Sequence, residues 1–306
     1  VTRLIVKLPA GCTELPARAY LIRHYGISNS QWKRLKHTGD FRKNGLSANA
    51  THTMVQNGDI LTFESEKPRN PNAYPIEPQD LPLDIRYEDN FLLAVNKPAG
   101  QLVHPLTVEP KGTLANAILG YYQRRGETHH FHPLHRLDRQ TTGLVLIAKE
   151  PQIQHMLTKN GEKRFHRLYL AVACGTLPTV EGTIDKPIGR SDGSFIRQEV
   201  RAPEDGGKTA RTHYRVLASS GGLSLVRLAL DTGRTHQIRV HLASLGCPLL
   251  GDDLYGTPDA RIARQALHAA QLSFRHPITH ADCCINAPLP PDMQAIITSS
   301  FSFASI

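Results

Sequence analysis

The chain has 306 residues, 40% of them hydrophobic, and its 36 Lys and Arg against 27 Asp and Glu give a net charge of +9. That length suits one large domain with a small one, and the basic excess points to a polyanionic partner, nucleic acid or a membrane surface. No apolar run approaches the roughly 20 residues of a membrane-crossing helix. The five cysteines (Cys12, Cys174, Cys247, Cys283, Cys284) are scattered without a C-x-x-C spacing, which argues against a disulfide framework or a cysteine zinc site and fits a reducing cytoplasm.

The first six residues, Val1 to Val6, alternate and carry no cleavage site, so they read as chain and not as a signal peptide. Pro16 to His24 predicts a short helix. Ser30 is a candidate N-cap for a second one carrying Trp32, Lys33, Leu35 and Lys36, and Gly39 ends it. Asn44-Gly45 is a hairpin signal, and Gly58-Asp59 is a turn into the strand Ile60 to Phe63. This order resembles the alpha-L RNA-binding motif of a small-subunit ribosomal protein, which implies a phosphate-facing helix surface made by Lys33, Arg34 and Lys36. It departs from that motif at Phe41-Arg42-Lys43, where apolar residues are usual. Nine basic against four acidic residues in positions 1–65 concentrate a net +5 there. Pro71, Pro75, Pro78 and Pro82 then mark a stiff linker. The expected division is a small α+β RNA-binding domain at 1–65, a Pro-rich linker at 66–82 and a catalytic domain at 83–306.

In the larger part, Phe91 to Val95 and Leu144 to Ala148 are unbroken apolar runs, read as buried strands. Leu168 to Ala173 and Leu223 to Leu230 alternate. There is no G-x-G-x-x-G fingerprint, P-loop or internal repeat. The pattern predicts an α+β domain with a mixed, largely antiparallel sheet. Thr235 is read as the N-cap of a helix with apolar positions Ile238, Leu242 and Leu245, stopped by Gly246 and Pro248, with Arg234 on the turn before it.

The residues with the most chemical content are His135-Arg136-Leu137-Asp138-Arg139-Gln140-Thr141-Thr142-Gly143-Leu144. Two arginines flank a carboxylate and favour its ionised form, on a turn that leads into a buried strand. Local physics alone favours a structural ion pair. The stretch, however, resembles the H-R-L-D-x-x-T-[ST]-G-L signature of the RluA family of pseudouridine synthases. Asn96-Lys97-Pro98-Ala99-Gly100, Arg167-Leu168-Tyr169-Leu170-Ala171, Gly233-Arg234-Thr235-His236-Gln237-Ile238-Arg239, Gly251 to Gly256 and Leu267-His268-Ala269 match further family blocks in order, so the resemblance spans nearly all of 83–290. Thr142 stands for the usual Ser, keeping the hydroxyl, and Arg167 for the usual Lys, keeping charge but not shape.

The resemblance implies a pseudouridine synthase fold and an isomerase that converts specific uridines in RNA to pseudouridine, ribosomal RNA first and transfer RNA second. It implies base flipping, with neither cofactor nor metal. Asp138 is then the nucleophile or base at the sugar–base junction, Arg234 its ion-pair partner, and Tyr169 the stacking residue that assists proton transfer. Leu267 packs beneath Tyr169, and Arg136 fills the space the flipped base leaves. A cytoplasmic monomer is expected, with no membrane partner. Two competing readings are an RNA-binding module without catalysis and a metal hydrolase built on His129, His130, His132 and His135. The intact Asp138, Tyr169 and Arg234 set opposes the first; the histidine spacing, which matches no metal motif, opposes the second.

Overall fold

A computed structural model of the chain describes residues 2–8, 14–24, 27, 32–33, 35–36, 40–65, 76–158 and 164–301. The chain divides into two compact units: residues 1–75 with 150–159, and residues 76–149 with 160–306. No helix among the described residues is long and apolar enough to cross a membrane.

The first unit runs β1 (Thr2–Lys7), β2 (Leu15–Pro16), α1 (Ala17–His24), β3 (Phe41–Lys43), β4 (Leu46–Ser47), β5 (Met54–Val55) and β6 (Ile60–Ser65). Four strands form an antiparallel sheet in the order β1-β6-β3-β4, and β2 pairs with β5. The expected hairpin is present: Asn44 at φ 52° and Gly45 at φ 82° supply the two left-handed residues of a tight turn between β3 and β4. The Asn44 side chain locks this turn to the next one, donating to Asp59 Oδ1 at 2.8 Å and accepting from the Ile60 N–H at 2.8 Å. Trp32, Lys33, Leu35 and Lys36 are helical; Trp32 and Leu35 join Leu21, Phe41, Leu61 and Phe63 in the core, while Lys33 and Lys36 stay exposed. Arg34, Ser30, Gly39 and Cys12 lie outside the described residues, as do 66–75 of the expected linker.

The remaining elements are β7 (Ile85–Glu88), β8 (Leu92–Lys97), α2 (Leu114–Arg124), β9 (His132–Pro133), β10 (Thr142–Ala148), α3 (Pro151–Leu157), β11 (Phe165–Cys174), β12 (Glu181–Asp185), β13 (Ile188–Arg190), β14 (Gln198–Val200), β15 (Arg211–Ser220), β16 (Leu223–Leu230), α4 (Gln237–Ala243), β17 (Leu267–Arg275), β18 (Asp282–Asn286) and α5 (Pro291–Ser300). Helix α3 falls within the first unit. The main sheet has ten strands, in the order β12-β15-β16-β11-β17-β10-β8-β7, with β18 on β17 and β9 on β10. Its pairs are antiparallel except β10 with β17, so the sheet is mixed and largely antiparallel, as predicted. Residues 76–82 form no helix or strand but are fastened to this second unit. Gln79 donates its N–H to Asn116 O, accepts from the Gly112 N–H through Oε1, and crosses Gly120 where no side chain would fit.

Two irregularities shape the centre of the sheet. At the mouth of β10, Gly143 adopts φ 111°, and a Cβ there would lie 2.3 Å from the Ala269 carbonyl of β17. Only glycine lets the parallel pair close this tightly. In β11 the register against β17 shifts between Leu168 and Tyr169, a bulge that re-aims the side chain after it.

Candidate active site

Asp138 sits in the turn that leads into β10, where its own carbonyl accepts from the Thr141 N–H at 3.1 Å. The next residues are held from behind by two buried cations. Lys97, fully buried at the end of β8, gives its ammonium protons to the carbonyls of Pro98 (2.7 Å), Gln101 (2.9 Å) and Arg139 (3.0 Å). Burial pushes its pKa down to about 7, against the pull of the Asp138 carboxylate. Three carbonyl acceptors match the three donors of the charged form, so the ammonium is the species the site is built for. Arg264, also buried, donates to Gln140 O at 3.3 Å and to Leu267 O at 3.3 Å, and is itself gripped bidentately by Asp292 of α5 at 2.8 Å. Gln265 Nε2 reaches Thr141 Oγ1 at 3.1 Å. Thr142 puts its hydroxyl 2.9 Å from His268 Nδ1; burial holds that imidazole down to about 4 and therefore neutral. The hydroxyl preserved in the Ser-to-Thr departure is in use.

Asp138 opens on a cavity of about 460 Å³ that is also lined by Arg136, Tyr169, Arg234, His236, Arg239 and Leu267. Tyr169 and Leu267 are buried at 3% and 4% exposure. Tyr169 opposes Ala269, and Ala171 opposes Leu267, so Leu267 is the diagonal neighbour of Tyr169 in the same core cluster. Burial pushes the Tyr169 phenol up, Arg167 pulls it down and Asp138 pushes it up again. Arg136 is exposed at the cavity edge.

The expected ion pair is made by a different arginine. Arg239, on α4, lies 3.8 Å from Asp138 Oδ2 with its side chain 7% exposed. Arg234 is exposed and gives Nε to the Thr209 carbonyl at 2.9 Å. The reason is the helix start. Thr235 does not cap it; His236 occupies the N-cap position at φ 56°, and α4 begins at Gln237. Gln237 Oε1 then holds the Arg234 N–H at 2.9 Å, and the inward face of the first turn belongs to Arg239. Asp252, with its side chain fully buried, binds Arg239 through two hydrogen bonds of 2.7 and 2.8 Å and thereby aims it. Burial opposes the charge on Arg239, but the hydrogen bonds and charge of Asp252, together with the Asp138 carboxylate, outweigh it and raise its pKa. The same Arg239 pulls the Asp252 carboxyl down despite burial.

Sequence reading missed Arg239, Lys97 and Arg264 as site residues. Arg239 was legible in principle: it falls on the apolar stripe of its helix, one residue after Ile238 and three before Leu242, where an unpaired charge is not expected. Lys33 and Lys36 belong to the first unit and do not line the cavity. Among the described residues no three His, Cys, Asp or Glu side chains converge as metal ligands. The histidines at 129, 130 and 132 make ring contacts with Tyr122 and with each other.

The model of the RNA pseudouridylate synthase family matches residues 91–244, the span that carries Asp138, Tyr169, Arg234 and Arg239. A Bacillus subtilis (strain 168) protein named as an uncharacterized RNA pseudouridine synthase, YhcT, is 44% identical over 81% of this chain and 82% of its own. Ribosomal large subunit pseudouridine synthase D of Vibrio parahaemolyticus serotype O3:K6 is 39% identical, covering 88% of this chain and 86% of its own. Human RNA Pseudouridylate Synthase Domain Containing 1 superposes with a TM-score of 0.57 at 26% identity, over 73% of this chain and 89% of that one. Human RNA Pseudouridylate Synthase Domain Containing 4 gives the same TM-score at 25% identity, over 70% and 91%. This chain belongs to the RNA pseudouridylate synthase family. It is an isomerase that converts uridine in RNA to pseudouridine.

Proposed function

We propose that the RNA is ribosomal, that the target uridine is flipped into the cavity beside Asp138, and that Asp138 supplies its carboxylate to the sugar–base junction as nucleophile or base. The observation that carries this is the pairing of Asp138 with Arg239 on a turn held by Lys97 and Arg264, at the floor of a cavity of nucleoside size. Tyr169 offers an aromatic face for the uracil with Leu267 beside it, and Arg136 at the rim takes the space the base vacates. Arg239 pairs with Asp138 and orients it. The likeness to a ribosomal large subunit pseudouridine synthase supports the choice of RNA. We take the protein to act as a monomer, and an RNA substrate supports a cytoplasmic location. The test is to map pseudouridine across cellular RNA with and without the gene. Loss of one or more ribosomal sites is expected; loss confined to transfer RNA would overturn the ribosomal assignment.

We propose that residues 1–65 are an alpha-L-type RNA-binding domain in which Lys33, Arg34 and Lys36 track phosphates. The support is a helix turn that buries Trp32 and Leu35 and leaves both lysines in water, followed by the Asn44-Gly45 hairpin. In the double variant Lys33→Gln/Lys36→Gln, RNA affinity is expected to fall. The slope of log affinity against log salt should fall by about 1.4, at about 0.7 for each phosphate no longer neutralised on single-stranded RNA. Turnover at saturating RNA should stay near wild type, since Asp138, Tyr169 and Arg239 lie in the second unit. A salt titration of both proteins on one RNA reads this, and equal slopes would remove the domain's RNA role.

A further inference from the structure

We propose that the His236 imidazole donates a hydrogen bond from Nε2 to an oxygen beside the glycosidic bond of the reacting uridine, and that Tyr255 holds the imidazole in the tautomer able to do so. The proposal rests on the placement of uridine at Asp138 given above. His236 lines the same cavity. Its backbone sits at φ 56°, ψ 20°, a left-handed conformation that a side-chain-bearing residue adopts at a cost, and such outliers gather where a side chain must be aimed. It occupies the N-cap position of α4 without using its side chain as a cap, so the ring is committed elsewhere.

That commitment is to Tyr255. The backbone N–H of Gln198 donates to Tyr255 Oη at 2.8 Å, and Tyr255 Oη lies 2.9 Å from His236 Nδ1. A backbone N–H can only donate, so the phenol accepts from Gln198. Its own proton then finds an acceptor in Nδ1. With Nδ1 accepting, the imidazole proton resides on Nε2. The cation–π contact of Arg239, 5.0 Å from the Tyr255 ring centre, further restrains the phenol. Nε2 makes no hydrogen bond to a described residue. Burial lowers the His236 pKa, with Asp138 raising it and Arg239 lowering it, so the ring is neutral at neutral pH.

A neutral donor is what this corner requires. Asp138 only accepts, Arg239 gives Nε and Nη2 to Asp252 and turns Nη1 toward Asp138, and Arg234 is an exposed cation that gives Nε to Thr209. Two acceptors flank the bond that breaks, the uracil O2 and the ribose 2′ oxygen. An imidazole N–H can polarise either without the positive charge that would hold Asp138 in a second ion pair.

Isomerisation replaces the hydrogen on uracil C5 with the sugar, so RNA labelled with tritium at C5 releases label at each turnover. The substrate is C5-tritiated total RNA from cells lacking the gene, under single-turnover conditions with the full chain. His236→Ala should slow release by about tenfold or more, with RNA affinity within about threefold of wild type. His236→Gln, whose amide restores a donor, should recover most of the rate, and Tyr255→Phe should fall between. A wild-type rate in His236→Ala overturns the proposal. So does an equal loss in the Ala and Gln variants, whatever their melting temperatures. On a short RNA spanning a mapped site, 2′-deoxyuridine or 2-thiouridine at the target should erase the gap between wild type and His236→Ala. The first result would assign the ribose oxygen and the second O2; a gap that survives both substitutions overturns the contact. Asp138→Asn in parallel separates the two failures, because an active Asn variant would sink the site assignment itself, not His236 alone.

Discussion

Asp138→Asn is expected to reduce pseudouridine formation to below about 1% of wild type, while the fold and RNA affinity change little. The substitution keeps shape and removes charge. It should be tolerated structurally because the turn does not depend on this carboxylate. Its anchors are backbone carbonyls: Asp138 O to the Thr141 N–H, Arg139 O to Lys97 and Gln140 O to Arg264. Tritium release, an RNA binding isotherm and a melting curve on the same preparation measure the three claims. Turnover above a few per cent in a well-folded Asn variant would remove Asp138 from the chemistry.

Arg239→Met should cost more than any other single change at the site, because it removes two partners at once. Asp138 loses its cation, and Asp252 is left as a fully buried carboxylate with no counter-charge. Breaking a buried pair from one side typically costs about 3–5 kcal/mol of stability. Low activity alone would therefore be ambiguous. The double variant Arg239→Met/Asp252→Asn resolves it, since the second change removes the stranded charge. We expect the double variant to regain much of the lost melting temperature and little of the lost turnover. Recovery of both together would confine Arg239 to a structural role. Arg234→Met should be milder, losing an exposed hydrogen bond to Thr209 worth about 0.5–1.5 kcal/mol, with an effect on RNA affinity larger than on the chemical step.

The family and the sheet were readable from the chain because both are written in local runs. The apolar strands at 91–95 and 144–148 stand out by composition, the strand at 223–230 by alternation, and the Asp138 signature is contiguous. What could not be read was which of two arginines, five residues apart, turns inward. That depends on where α4 begins, and a plausible cap at Thr235 pointed to the wrong phase. The true start rests on His236 adopting a left-handed backbone, held in place by Tyr255 from another loop. Lys97 and Arg264 were hidden for a related reason. A buried cation looks like any other in sequence, and the carbonyls that justify it, at Arg139 and Gln140, come from 42 and 124 residues away. The Asn44-Gly45 turn was legible because its conformation needs only its own two residues.

Three consecutive carbonyls of the Asp138 turn are occupied by the Thr141 N–H, Lys97 and Arg264, all of them groups of the protein itself. The turn is preorganised, so little conformational entropy is left for the protein to lose on the way to reaction. The expense of reaching the reactive geometry falls on the RNA, which must unpair and unstack one nucleotide at a few kcal/mol. Uridines in loops, bulges or weakly stacked steps start part of the way there. Selection among the many uridines a long RNA offers is then governed partly by the RNA's own local melting, and substitutions that stiffen or loosen the target helix should move turnover without touching the protein.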